Sequence, residues 1–134
     1  MAGRWGWEKP ALRNELRRTP GVVLTGPLPR RMLDGAVAGA RFMVYPSLYE
    51  GFGLPPLEAA ALGVPSILGP ARALREVYGP VGLFPENTPE AFCEAMKELL
   101  DNPRDPGALR AFAAPFSDDA MAAATAEVYR ECLE

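Results

Sequence analysis

Residues 45–65 read Tyr-Pro-Ser-Leu-Tyr-Glu-Gly-Phe-Gly-Leu-Pro-Pro-Leu-Glu-Ala-Ala-Ala-Leu-Gly-Val-Pro, and this stretch restricts the fold more than any other part of the chain. The apolar run 42–45 suits the end of a buried strand, which Pro46 stops. Gly51 and Gly53 flank Phe52 in a loop. Pro55 and Pro56 suit the first turn of a helix, where a missing N–H costs nothing and φ is preset. A helix is therefore predicted over 54–62 and a new strand over 66–68, after Pro65. Strand, loop, helix and strand in direct succession make the unit of a parallel sheet.

The rest of the chain continues the alternation. A short helix is predicted over 10–18, with Leu12 and Leu16 on one face and Arg13, Arg17 and Arg18 on a solvated one. The run 22–24 suits a buried parallel strand ended by Thr25-Gly26-Pro27. A small-residue helix over 29–38 is weakened by Gly35, and Ala36, Ala38 and Ala40 suggest close packing. After the central stretch, a strand is predicted over 81–84. A helix over 89–100 follows, capped by Thr88, with Phe92, Ala95, Met96 and Leu99 on its buried face. Prolines limit 103–115 to one short helix around Leu109. Ser117 caps a last helix to about 133, in which Met121, Thr125, Val128, Tyr129 and Cys132 recur at helical spacing. The expected fold class is α/β, a three-layer Rossmann-like domain with a mostly parallel sheet.

The 134 residues make one ordinary domain at most. With 49% hydrophobic and 23% charged residues, the chain has enough apolar surface to fold and no disorder signature. A net charge of −3 argues against nucleic acid as a partner. No apolar run reaches the roughly 18 residues that span a bilayer and no signal peptide precedes the fold, so the expected location is cytoplasmic, with no transmembrane segment. The chain has no histidine, which removes Ser-His-Asp and Cys-His nucleophilic sites and the usual zinc geometries. Carboxylates, arginine and the backbone remain. Cys93 and Cys132 lack metal spacing and are expected as reduced core residues. A dehydrogenase has no support, because the Gly-x-Gly-x-x-Gly fingerprint is absent.

The chemistry follows from the junction at 50–58. Unpaired N–H groups and the dipole at a helix start favour an anion, phosphate above all. Glu50 precedes that junction and Glu58 lies one turn inside the helix. Carboxylates beside an anion site suit hydroxyls, so a ligand with phosphate in the middle and polyols on either side satisfies every group. A nucleotide sugar is such a ligand. The plainer alternatives stay open for each acid alone: an exposed loop carboxylate for Glu50, and a helix-start acid favoured by the dipole for Glu58.

Glu50-Gly-Phe-Gly-Leu-Pro-Pro-Leu-Glu58, with Pro46-Ser47 before it and Gly63-Val64-Pro65 after it, resembles the Glu-x7-Glu signature of the retaining GT-B glycosyltransferases. Residues 1–7 are similar to the Gly-Lys-Gly-Trp-like segment of that family. The resemblance lays residues 1–134 along the latter two-thirds of its carboxyl-terminal, nucleotide-sugar-binding domain, as a partial domain truncated at its N-terminal end. It implies that Glu50 meets the donor sugar at the reacting face as the catalytic residue and that Glu58 accepts from the ribose hydroxyls. Backbone N–H groups of Gly51, Phe52, Gly53 and Leu54 would meet sugar and phosphates. No metal and no cofactor beyond the donor substrate is implied. Arg75-Glu76 stands where the family has Pro-Glu, and Arg72 or Arg75 is either a diphosphate contact or exposed surface. The acceptor domain and a basic donor loop would precede residue 1. The isolated chain is therefore expected to be inactive, with a homodimer or a complementing N-terminal half as partner. An interaction or scaffold module on the same fold, and another GT-B enzyme such as a nucleotide-sugar epimerase, are the alternatives.

Overall fold

Pro46 and Pro65 bound the central helix from its two strands, and the observed elements respect them. In a computed structural model that describes Gly3 and residues 10–133, β1 (Met43–Tyr45) and β2 (Ser66–Leu68) pair in parallel, with Val44 opposite Ile67. Ile67 also bridges Leu83 in parallel, so the predicted strand 81–84 is reduced to one bridge, held by the Leu68 N–H to Leu83 C=O bond of 2.8 Å. Between β1 and β2 runs α3 (Leu54–Ala61), and after β2 come α4 (Arg72–Tyr78), α5 (Pro89–Asp101), α6 (Pro106–Ala113) and α7 (Asp118–Leu133). Earlier lie α1 (Pro10–Arg18) and α2 (Arg30–Ala38). Contacts divide the chain into two units, Met1–Ala36 and Val37–Glu134.

In the second unit, alternation along β2 builds two core layers. Side chains of successive strand residues point to opposite faces. Ile67 packs with Phe92, Ala95 and Leu99 of α5, while Leu68 packs with Ala71, Leu74 and Tyr78 around α4. Leu57 of α3 and Phe112 of α6 close over the second cluster. Helices thus cover both faces of a small parallel sheet, the three-layer Rossmann-like arrangement expected from the sequence. Each fully buried side chain of this set contributes about 1.5–3 kcal/mol. The caps are local: Thr88 Oγ1 accepts from the Ala91 N–H at 3.2 Å, and Asp105 accepts from the Gly107 and Ala108 N–H groups.

Several expectations are corrected. Residues 22–24 form no strand among the described residues, and Val23 is 69% exposed. A three-residue apolar run does not by itself fix a strand, because β-propensity depends on context. Ala36 and Ala38 are exposed, while Leu33 and Val37 of α2 are half-buried. Cys93 and Cys132 are exposed rather than core. Cys93 lies off the face carrying Phe92, Ala95 and Leu99, and α7 buries none of its residues. The apolar positions of α7 are exposed, Met121 at 65% and Tyr129 at 67%. The reading of 1–7 lies outside the described residues apart from Gly3, whose N–H donates to the Gly26 C=O. Among the described residues no helix is long and apolar enough to cross a membrane.

Candidate functional site

In open parallel sheets, loops at the carboxyl ends of the strands carry the ligand site. Here β1 and β2 end side by side at Tyr45 and Leu68. The Gly69 N–H donates to the Tyr45 C=O at 2.9 Å, and a Cβ on Gly69 would collide with the Ser47 and Pro46 backbone. Glycine at 69 therefore lets the loops after the two strands touch. The first of them carries Glu50 into α3.

Gly53 is the turning point. Its φ is +89°, the left-handed region, and a Cβ there would overlap Leu74 Cδ2. It is also the N-cap of α3, with no side chain capping the helix start. Pro55 and Pro56 bring no N–H, so the available donors lie in the loop and at Leu54 rather than along the first turn. Gly51 has no left-handed φ, and a Cβ there would meet nothing within 4 Å. The space beside Gly51 is open.

The two acids lie at either end of the loop and helix start 50–58. Glu50 is half-buried in the loop, and Glu58 is half-buried in α3 one turn past its start. Glu50 Oε1 accepts from the Tyr45 hydroxyl at 2.6 Å. Burial first, then the hydrogen bond and negative charge of Glu50, push the Tyr45 phenol up from 10.0 to about 12. The Tyr78 hydroxyl donates to the Gly53 C=O at 2.5 Å. Burial pushes that phenol up to about 12 as well; the Leu57 backbone opposes the shift, while Tyr45 and Glu50 add to it. Neither tyrosine stands out in the sequence. A Tyr five residues before a Glu carries no motif, and Tyr78 reads only as a helix residue.

Phe52 is half-buried, and its ring is structural. It meets Tyr78 and Phe116 edge-on, at centroid distances of 6.4 and 5.8 Å. Beside it runs an apolar groove of about 440 Å³, walled by Leu54, Leu57, Phe116 and Met121. The Arg75 guanidinium stacks 4.9 Å from the centroid of Phe84, and Arg72 is exposed in the first turn of α4. Among the described residues no group of three or more His, Cys, Asp or Glu is gathered to hold a metal.

Residues 1–102 match the family described as glycosyl transferases group 1. The chain belongs to this family. As a group 1 glycosyltransferase it is 36% identical over 107 residues to an O-antigen chain mannosyltransferase B of Escherichia coli, covering 76% of this chain and 28% of that one. It is 34% identical over 140 aligned positions to a D-inositol 3-phosphate glycosyltransferase of Thermobispora bispora, covering 96% of this chain and 33% of that one. A GDP-mannose-dependent phosphatidylinositol dimannoside mannosyltransferase of Mycobacterium tuberculosis shares 32% identity over 75 residues, 55% of this chain and 20% of that one. The chain thus spans a third or less of the length of these curated relatives.

Proposed function

We propose that residues 1–134 form part of the nucleotide-sugar-binding domain of a retaining glycosyltransferase, and that the loop 50–53 with the start of α3 receives the donor. The observation that carries this reading is the junction itself. An uncapped helix start behind a glycine turn offers N–H groups to a diphosphate, and one carboxylate stands on each side of it for hydroxyls. Glu50 would accept from the sugar at the reacting face, and Glu58 from the ribose. N–H groups of Gly51, Phe52, Gly53 and Leu54 would meet the sugar and the phosphates, with no metal or further cofactor. One relative's name specifies GDP-mannose, which makes it the first donor to test.

Transfer to an acceptor needs a second cleft wall that excludes water. The isolated chain is therefore proposed to bind donor without efficient transfer. β1 pairs with β2 and with no other strand among the described residues, which leaves an edge for a second copy or a preceding half to cover.

Calorimetric titration with GDP, GDP-mannose, UDP and UDP-glucose tests the reading, repeated on Glu58→Ala. Charge-assisted hydrogen bonds contribute roughly 1.5–3 kcal/mol, so the substitution is expected to weaken nucleotide binding about 10- to 150-fold. A folded chain that binds none of the four supports the alternative, a scaffold module on the same fold.

A further inference from the structure

We propose that Tyr45 and Tyr78 are positioning residues that hold the two ends of the ligand-facing loop from beneath, Tyr45 setting the Glu50 carboxylate and Tyr78 setting the peptide between Gly53 and Leu54. The inference rests on the donor-binding reading of this loop. Tyr78 is 1% exposed and belongs to the cluster of Leu68, Ala71 and Leu74, against which Tyr45 also packs. The position of each hydroxyl is therefore set by the core rather than by the loop it touches.

At the first end, the Tyr45 hydroxyl occupies Oε1 of Glu50 at 2.6 Å. A glutamate on a loop samples many rotamers, and holding one oxygen selects among them. The other oxygen is then presented in a fixed direction to sugar hydroxyls. At the second end, the Tyr78 hydroxyl takes the Gly53 C=O at 2.5 Å. No peptide here is cis, and in a planar trans peptide C=O and N–H point in opposite directions. With the Gly53 C=O drawn to a buried phenol, the Leu54 N–H is turned away from the core, where a phosphate oxygen can meet it. Gly53 is the residue that permits the turn, because only there is φ positive within the loop.

The two phenols separate experimentally, since one acts on the sugar and the other on the phosphates. Tyr45→Phe is expected to lower affinity for GDP-mannose about 3- to 10-fold while leaving GDP within about twofold. Tyr78→Phe is expected to lower affinity for both ligands about equally. Equal loss of both ligands in Tyr45→Phe, or no loss in either variant, overturns the assignment. If the wild-type chain binds no nucleotide sugar, the donor reading fails and this inference with it. If it binds and Glu50→Ala loses the sugar preference but Tyr45→Phe keeps it, the inference alone fails. Should the Phe variants not fold, spectrophotometric titration of the phenols in the wild type and Glu50→Ala reads the first contact directly. The Tyr45 phenol should titrate lower once Glu50 is removed, and an unchanged titration overturns its role.

Discussion

Gly51 and Gly53 stand on either side of Phe52, yet the structure demands glycine at only one of them. At Gly53 a side chain meets both a left-handed φ of +89° and Leu74, so Gly53→Ala should cost about 1–3 kcal/mol in denaturant unfolding. Gly51 has neither constraint, and Gly51→Ala should be neutral or stabilising by up to about 1 kcal/mol while weakening ligand approach. A large stability loss at Gly51 would contradict the open space assigned to it. The two phenols carry a pH signature. Both titrate near 12 in the folded chain against 10.0 for the unperturbed group, so the native state retains protons that the unfolded state gives up. Their stabilising contribution is complete below pH 10 and is lost as pH rises through about 12. Unfolding free energy measured across that window should fall with pH, and less steeply in Tyr45→Phe and Tyr78→Phe.

At the scale of elements, helices with equally apolar sequences have unequal roles. Leu74 of α4 is fully buried, and Leu74→Ala should cost about 2–5 kcal/mol. Val128 and Tyr129 of α7 are 55% and 67% exposed, so alanine at either should shift stability by no more than about 0.5 kcal/mol. A larger shift in chemical denaturation would mean that α7 is packed in solution. This contrast shows what the sequence carried. α3, β2 and α5 were legible because proline, glycine and a Thr88 cap punctuate them and because their apolar faces have partners inside the chain. α7 has the same periodicity, but periodicity gives a face and not what covers it. The run 22–24 is apolar, yet Val23 is 69% exposed, because apolar content alone does not place a side chain in the core. Glu50 in the loop and Glu58 in α3 were singled out by the resemblance of the whole stretch 46–65, not by their spacing, and their positions on either side of Gly53 follow directly from the chain order. The phenols were not legible, because their roles arise from contacts between a strand end, a loop and a helix separated in sequence.

At the scale of the whole molecule, the parallel sheet and the glycine turn meet at one edge of the domain, where β1 and β2 end. The chain spans 28% of the Escherichia coli mannosyltransferase and 33% of the Thermobispora glycosyltransferase, so most of what those proteins contain has no counterpart among these residues. The edge of β1 bears on assembly: if a second copy covers it, as proposed above, light scattering at high protein concentration shows a dimer, and a monomer counts against self-pairing there. The central claim, a donor site at residues 50–58, is tested most directly by following backbone amide resonances while GDP-mannose is added. The account predicts that the amides of Gly51, Phe52, Gly53 and Leu54 shift first and together, with Glu58 close behind. Saturable shifts confined to other parts of the chain, with these five unmoved, would contradict it.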